Sequence, residues 1–269
     1  MGSQLSKKYD YEKEPYLYGG MHNLWKAYRG TMKASPHQDV TIFMFEKKVK
    51  KGQTITPAAI EILKKDAQNL TKFRHPSMLN LIEQPMEDAK VIAFVSEPVE
   101  YNLAALLQDH SKRDMVPSEV DLKCLVLELM ECINFLHANA KTFHCGIAPE
   151  HIYVTKDGKL KVAGLNFIQQ FATPEPISVH FDFMQRIGEF ACVPNLRFAS
   201  PEISNSQMVS AQADIFSIGC VIYFLVALNR GENHKAYILN QSDITNQQLH
   251  KNECGSLARR LDTTLSSLD

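Results

Sequence analysis

Residues 144–154 have the sequence HCGIAPEHIYV, and residues 159–166 have the sequence KLKVAGLN. Short runs of residues that favour β-strands lie at 153–155 and at 160–163. Asp157-Gly158 lies between the two runs and is a strong signal for a two-residue hairpin. The region is therefore predicted to form a loop, a strand, a tight turn, a second strand and another loop.

This order of elements resembles the catalytic loop of protein kinases, H-R-D-L-x-x-x-N, and the D-F-G element that follows it. The residues at the chemical positions differ. Gly146 stands where an aspartate would accept the substrate proton, and His151 where an asparagine would bind metal. Gly164 stands at the metal-binding aspartate of D-F-G. Because glycine has no side chain to take a proton or hold a metal, the pattern indicates a kinase-like fold without kinase chemistry.

The segment ahead of these motifs resembles the small lobe of a kinase in the same altered way. Gly19 and Gly20 lie where kinases carry a glycine-rich hairpin over the nucleotide phosphates, but no G-x-G-x-x-G is present. A predicted strand carries Phe43 in place of the lysine that pairs with the phosphates and with a helix acid. The position of that acid falls on Asp66. With no lysine to meet it, Asp66 is expected to be a solvated surface acid.

The segment that follows the predicted strand 91–95 stands where a kinase hinge binds adenine through backbone groups. Pro98 has no N–H, but the groups on either side of it remain able to meet adenine. Asn166, the third D-F-G position, could supply an oxygen to a metal, whereas Lys161 is expected to face solvent. The residues expected to line a nucleotide cleft are Gly19, Gly20, Glu97, Val99 and Asn166.

The second half of the chain carries motifs that have structural duties in kinases. A helix is predicted over 118–136, with Ser118 as its N-cap. Residues 199–202 resemble the A-P-E motif, and residues 214–220 resemble the start of a buried kinase helix, D-x-W/Y-S-x-G. The resemblance implies that the aspartate of this helix bonds the catalytic-loop backbone, although a helix N-cap is the simpler role. The structural residues of the resemblance are His144, Glu202, Asp214 and Gly219.

Composition and charge bound the classes of function. The chain has 269 residues, 45% of them hydrophobic, which suffices for a sizeable core. Its 29 basic residues nearly cancel its 30 acidic residues, so no nucleic-acid partner is expected. The six cysteines lack metal-ligand spacing and are expected to be mostly reduced core thiols. The longest apolar run, 218–228, is too short to cross a bilayer, which predicts a cytoplasmic protein.

The motifs together predict an α+β, bilobal protein-kinase-like fold with a small β-rich N-lobe and a mainly helical C-lobe. The expected divisions are an N-terminal segment over 1–14, an N-lobe over 15–98 and a C-lobe over 99–269. Because the chain turns polar after 229, the C-lobe is expected to be incomplete beyond about residue 230.

The chain resembles the SCY-like pseudokinases, a group that includes the N-terminal kinase-like proteins and the coated-vesicle-associated kinase. The features that carry the resemblance are Gly19-Gly20 with Trp25-Lys26, the run 40–48 with Phe43, Phe73-Arg74-His75-Pro76, Glu97-Pro98-Val99, and the replaced catalytic motifs. The resemblance implies a scaffold or adaptor in vesicle traffic, with coat or adaptor proteins as partners near Golgi or endosomal membranes. In that family helical repeats follow the kinase-like domain.

The N-terminus matches the pattern for N-myristoylation, in which Gly2 is exposed after removal of the initiator methionine. An acyl chain on Gly2 would provide peripheral membrane contact, although one chain gives only marginal binding. A plain polar start is the alternative.

Two other functions stay open beside the inactive scaffold. One is an atypical kinase that retains weak phosphoryl transfer through Asn166, His151 or Lys161. The other is an allosteric domain that binds ATP without catalysis, either weakly or independently of metal. No cofactor is required by the leading hypothesis, and His22, His144 and His151 form no evident metal set.

Overall fold

The computed structural model describes residues 2–47, 57–108, 116–172, 178–180, 193–204 and 208–229. Two compact units can be distinguished within this part of the chain. The first contains residues 2–108 and Pro149–Asn166, and the second contains residues 116–148 together with the described residues from Phe167 onward. The region after 229, in which the incomplete C-lobe was predicted, lies outside the described residues.

The strands and helices of both units include those predicted from the sequence. The strands are β1 (Tyr9–Tyr11), β2 (Leu17–Gly19), β3 (Trp25–Met32), β4 (Asp39–Glu46), β5 (Leu81–Glu87), β6 (Val91–Ser96), β7 (Tyr101–Asn102), β8 (Thr142–Phe143), β9 (Ile152–Val154), β10 (Leu160–Val162), β11 (Gln169–Gln170), β12 (Val179–His180) and β13 (Met208–Val209). The helices are α1 (Gly2–Lys8), α2 (Pro57–Leu70), α3 (Ala105–Gln108), α4 (Glu119–Ala138), α5 (Pro201–Ser204) and α6 (Ala211–Asn229).

An antiparallel sheet forms the main part of the first unit. Its strand order is β1, β3, β4, β6 and β5, and β2 also pairs with β3. Successive side chains of a strand point to opposite faces, so β4 presents Val40 and Ile42 to one face and Phe43 to the other. On the face of Ile42, helix α1 inserts Leu5 into a cluster with Tyr9 and other apolar side chains. The other face carries the candidate site.

A three-stranded sheet of β7, β9 and β10 completes the first unit. The predicted hairpin is confirmed, because β9 and β10 pair antiparallel with Val154 opposite Leu160. The two-residue turn is wrong, because the Thr155 N–H donates to the Lys159 carbonyl and leaves three residues, 156–158, in the turn. Gly158 occupies the turn with a φ of 79°, a left-handed conformation that glycine adopts without strain. Before β9, residues Pro149–His151 form one 3₁₀ turn, and all three are buried.

Helix α4 of the second unit confirms the predicted helix and its N-cap. Ser118 and Asp121 form a reciprocal capping box, which satisfies backbone donors at the helix start. The buried face of the helix consists of Leu122, Leu125, Leu129, Cys132, Ile133 and Leu136.

Helix α6 is apolar nearly all round. By length and composition alone, the window Ala211–Leu228 of the described chain could cross a membrane, with a mean hydropathy of 1.9. Of that window, 56% is buried inside the protein. A buried core helix of a globular domain passes the same test, so the helix gives only weak evidence for a span.

The cysteines that the structure describes differ in exposure. Cys132, Cys145 and Cys220 are buried, as expected for core thiols, but Cys124 is exposed on α4. The expectation of a core position is therefore wrong for Cys124, because it lies on the solvent face of the helix. Cys192 and Cys254 lie outside the described residues.

Candidate functional site

Phe43 lies at the centre of an aromatic cluster on the inner face of the first unit's sheet. The side chain is fully buried. Its ring stacks on Phe94, directly opposite on β6, with centroids 4.8 Å apart and planes 17° apart. The ring of Tyr153 from β9 meets it edge to face at 5.4 Å, and Trp25 meets Phe94 at 4.9 Å. The position at which the resemblance places a phosphate-binding lysine is therefore part of the hydrophobic core.

The turn at Gly19 and Gly20 packs directly on the strand that carries Tyr153. A Cβ atom added to Gly19 would lie 2.4 Å from the Tyr153 hydroxyl oxygen and 2.9 Å from Asn102 Nδ2. The Gly20 N–H donates to the carbonyl of Glu150 at 2.9 Å. Backbone and side chains of the protein therefore meet beneath this turn, where a kinase hairpin would cover phosphates.

The backbone groups of Val99, which were predicted to meet adenine, both bond within the protein. The Val99 N–H donates to Thr41 Oγ1 at 3.0 Å, and the Tyr16 hydroxyl donates to the Val99 carbonyl at 2.6 Å. Burial raises the pKa of Tyr16 to about 12, so its hydroxyl keeps the proton that it donates. A ligand at this hinge would have to replace side-chain partners that are already in place.

Asp66 is not the solvated acid that the sequence suggested. The side chain is only 2% exposed, and its Oδ1 accepts the backbone N–H groups of Gly164 at 3.0 Å and Leu165 at 2.8 Å. Burial raises the pKa of this carboxyl, while His151 and the two N–H donors act in the opposite direction. The expectation that Asp66 lies on the surface is wrong because two backbone N–H groups, and not a lysine, are the partners of its carboxylate.

Gly164 and His151 are packed against each other. Gly164 has a φ of 79°, and an added Cβ would lie 2.2 Å from His151 Cγ. The His151 ring is itself buried. An aspartate at position 164 would therefore clash with the histidine that stands at the metal-binding asparagine position.

Asn166 is engaged with helix α2. Its Nδ2 donates to the carbonyl of Ile62 at 2.9 Å, and the residue is buried. The neighbouring Leu165 carbonyl accepts from Asn69 Nδ2 at 2.9 Å. Together with Asp66, these contacts fasten the segment 164–166 to the helix through polar side chains.

The sequence suggested that Lys161 faces solvent, but the structure shows that it does not. The residue is 9% exposed, and its ammonium group donates to the Pro76 carbonyl at 2.7 Å and lies 3.0 Å from Glu97 Oε2. Glu97, predicted to line the cleft, also accepts the Asn80 N–H at 2.9 Å. Alternation along β10 would allow an exposed lysine, but a carbonyl and a carboxylate within reach of its flexible stem keep it inside.

Within the second unit, Asp214 organises the loop that begins at His144. Its carboxylate accepts the N–H groups of His144 at 2.7 Å and Cys145 at 2.8 Å, and His137 Nε2 lies 2.8 Å away. Burial opposes ionisation, but the bond from His137 and the neighbouring histidine charges lower the pKa of Asp214. Asp214 lies inside α6, so the N-cap alternative is wrong and the loop-bonding role is the one observed.

Cys145 adopts a φ of 57°, which is rare for a residue with a side chain. This conformation lets consecutive N–H groups converge on one carboxylate. The Gly146 N–H then donates to His144 Nδ1 at 3.2 Å, so His144 is a packed structural residue of the loop.

The family model of the protein kinase domain matches residues 29–264. The chain belongs to the protein kinase domain family. Among its relatives, SCY1-like protein 2 from Homo sapiens is 29% identical over 258 residues, which are 91% of this chain and 27% of that protein. Protein kinase-like protein SCY1 from Saccharomyces cerevisiae is 27% identical over 259 residues, covering 85% of this chain and 32% of the relative.

A third relative carries a statement about activity in its name. It is the "Probable inactive serine/threonine-protein kinase scy1" from Dictyostelium discoideum, 25% identical over 275 residues, which cover 99% of this chain and 30% of that protein. The chain thus spans between a quarter and a third of the length of these relatives. The resemblance to SCY-like kinase domains, made from motifs, agrees with these similarities.

The structure also describes the other predicted site residues. Gly219 is buried within α6, as expected of a structural residue. Glu202 is half-buried in α5, and its Oε2 has no hydrogen-bond partner among the described residues. Gly2 is the first residue of α1. In the part of the chain that is described, no group of three or more His, Cys, Asp or Glu residues is placed to hold a metal.

Sequence reasoning missed three side chains that contact the positions predicted to line a nucleotide cleft. Tyr153 fills space beneath Gly19, while Tyr16 and Thr41 occupy the backbone of Val99. The signal for Tyr153 was present, because an aromatic residue follows the altered loop at a buried strand position. The signals for Tyr16 and Thr41 were absent, since their bonds join residues 83 and 58 positions apart.

Proposed function

We propose that this chain is a catalytically inactive kinase domain that acts as a scaffold or adaptor. The observation that carries the proposal is Phe43, buried between Phe94 and Tyr153 at the position where the family places its phosphate-binding lysine. Phenylalanine can pair neither with phosphate nor with a helix acid. The helix acid Asp66 instead holds the backbone of Gly164 and Leu165.

Catalytic inactivity also follows from what phosphoryl transfer needs. The reaction relies almost wholly on positioning and on neutralisation of charge by a lysine, by metal ions and by a catalytic aspartate. At the corresponding positions this chain has Phe43, Gly146, His151 and Gly164. A displaced residue can compensate for one such replacement, but four replacements remove the main sources of transition-state stabilisation. The same four positions leave no ligand set for magnesium.

We expect nucleotide to bind weakly or not at all. Adenine would compete with Tyr16 and Thr41 for the backbone of Val99, and phosphates would compete with the packing of Gly19 and Gly20. Any residual ATP binding should be indifferent to magnesium. The domain therefore requires no cofactor for its proposed role.

Thermal unfolding of the purified chain with excess ATP, with and without magnesium, tests this part of the proposal. A ligand at a hundredfold over its Kd that binds only the native state stabilises it by about 2.7 kcal/mol, a shift that is readily measured. We expect no magnesium-dependent shift and no phosphate transfer to a generic protein substrate. A magnesium-dependent shift together with transfer that the Asn166→Ala variant abolishes would establish an atypical kinase instead.

The cellular role of the scaffold is proposed from the family resemblance. We place it in vesicle traffic, with coat or adaptor proteins as partners and a cytoplasmic location that extends to Golgi or endosomal membranes. Acylation of Gly2 would supply one marginal membrane contact, and protein partners would supply the second. No nucleic-acid partner is proposed, because the net charge is only −1.

Metabolic labelling of cells with an alkyne-bearing myristate analogue, followed by membrane fractionation, tests this location. We expect label on the wild-type chain, none on Gly2→Ala, and a smaller membrane fraction for Gly2→Ala. Ser3→Ala is the matched control, since it leaves the acceptor glycine intact. Equal membrane fractions for wild type and Gly2→Ala would remove acylation from the proposal, and a uniformly soluble chain would remove the membrane location.

A further inference from the structure

A cavity of about 410 Å³ opens on the first unit, beside the motif Phe73-Arg74-His75-Pro76. Glu97 and Lys161 in its wall were considered above in roles toward nucleotide, whereas the other residues of the wall have no chemical role assigned. Its volume lies within the range of sites that take small ligands or a few side chains of a peptide. The cavity is lined by Phe73, Arg74, His75, Pro76, Met78, Leu79, Asn80, Glu97 and Lys161.

The one acidic side chain in this wall is already neutralised. Glu97 accepts the Asn80 N–H through Oε1, and its Oε2 lies 3.0 Å from the Lys161 ammonium. The same ammonium donates to the Pro76 carbonyl at 2.7 Å. Lys161 is therefore nine-tenths buried and held in one position at the base of the cavity. An ammonium has three N–H donors, and the described residues supply partners for two of them, so the third is left for a ligand.

Arg74 and His75 contribute further N–H donors to the wall. Arg74 is exposed, and its Nη1 donates to the Asn80 side-chain oxygen, which orients the guanidinium while leaving most of its five N–H groups. His75 accepts the Ser77 N–H at Nδ1, so the neutral ring carries its proton on Nε2. With Glu97 paired to Lys161, Arg74 is left as the net positive charge of the cavity.

The apolar part of the wall favours a peptide over a free anion. Met78 and Leu79 are buried beneath the cavity, and Phe73 is half-buried at its side. An acidic side chain bound at Arg74 and Lys161 would place a neighbouring residue of the same peptide against the exposed surface of the Phe73 ring. A simple anion would leave the surface uncovered.

We propose that this cavity is a docking site for an acidic segment of a partner protein, with a carboxylate bound by Arg74 and Lys161 and an adjacent apolar residue against the half-buried ring of Phe73. This inference deepens the proposed scaffold role and rests on it. Its test measures peptide binding and does not involve nucleotide, so it can fail while catalytic inactivity stands, and the reverse also holds.

Fluorescence anisotropy with the whole chain and labelled short peptides provides the test. The probes are a set in which two glutamates lie at different spacings from one leucine, and a matched set in which glutamine replaces glutamate. Hydrogen bonds to charged groups contribute about 1.5–3 kcal/mol, which corresponds to roughly tenfold or more in affinity. We expect at least one acidic peptide to bind about tenfold more tightly than its glutamine counterpart.

Arg74→Gln should weaken that binding about tenfold or more, because it removes the charge and keeps a polar side chain that can still bond Asn80. The matched control is Lys159→Gln, which changes the net charge equally at a side chain that is 66% exposed and outside the cavity wall. Both variants should unfold at the wild-type temperature. The proposal is overturned if no acidic peptide binds at millimolar concentration, if glutamine peptides bind as well, or if both variants weaken binding equally.

Discussion

Asp66 Oδ1 accepts the backbone N–H of Gly164 at a distance of 3.0 Å, and thereby joins helix α2 to the segment that stands at D-F-G. The same oxygen accepts the N–H of Leu165. A kinase would use the helix acid to orient a lysine and the D-F-G aspartate to hold metal. Here the acid instead bonds the backbone of the segment that stands at D-F-G directly.

Two variants of Asp66 should distinguish the effect of losing the acceptor oxygen from the effect of losing the charge. Asp66→Ala leaves two buried N–H groups without a partner and should cost about 2–4 kcal/mol in the free energy of unfolding. Asp66→Asn keeps an oxygen acceptor at the same place and should retain most of the stability. Urea denaturation measures both. Glu61→Ala, at an exposed position of the same helix, is the control and should change little.

Wild type and Asp66→Asn should also differ in the pH dependence of their stability. Because burial raises the pKa of Asp66 in the folded state, the folded chain binds more protons than the unfolded chain above the usual value near 3.8. Asp66 therefore contributes a stability that decreases as pH rises through this window. In Asp66→Asn that component should vanish. An unchanged pH profile of the difference between wild type and Asp66→Asn would argue against a raised pKa.

Sequence patterns were sufficient for the longer elements that they predicted, such as helix α4, and for the loop anchored by Asp214, but they did not predict α1 or the short strands β1, β7, β11, β12 and β13. The helix and the loop both depend on local periodicity or on a motif of fixed spacing, as the hairpin around Gly158 also does. They were insufficient for Asp66 and Lys161, whose environments depend on partners about a hundred residues away in one case and 85 in the other. Whether a charged residue is buried depends on donors and acceptors that only the tertiary structure brings near. The sequence therefore predicted that both side chains are exposed, whereas both are buried.

Truncation of Phe43 should show that this position now serves the core. Phe43→Ala removes a fully buried ring that contacts two aromatic neighbours, and should cost about 3–5 kcal/mol. Urea denaturation again provides the measurement. The control Tyr18→Ala removes an aromatic ring that is 49% exposed on β2, and its cost should be much smaller. Equal costs would contradict a core role for Phe43.

Substitutions at Gly164 and Gly158 compare two glycines with the same φ of 79°. Gly158→Ala places its Cβ where nothing lies within 4 Å, so only the backbone strain of about 1–2 kcal/mol is expected. Gly164→Ala adds a clash with His151 and should cost about 1–3 kcal/mol more. The extra cost should shrink in a chain that also carries His151→Ala.

The same contact predicts that the metal ligand cannot be restored by one substitution. Gly164→Asp adds the Cβ that meets His151 and should destabilise the fold without producing magnesium binding. Isothermal titration with magnesium, beside a melting curve, measures both effects. A stable Gly164→Asp chain that binds magnesium would show that His151 moves aside easily, and would contradict the clash.

Asp214 should make the loop at His144 sensitive to acid. Its pKa is lowered in the folded state, so the unfolded chain binds more protons, and the stability that Asp214 contributes is lost as pH falls through the folded value. Asp214→Asn removes the charge and places an amide donor toward backbone N–H groups, and should cost about 1.5–3 kcal/mol at neutral pH. Urea denaturation from neutral to acidic pH should show the two chains converging as pH falls. Asp10→Asn, at an exposed carboxylate, should keep the wild-type profile, and parallel profiles for wild type and Asp214→Asn would rule out this source of acid sensitivity.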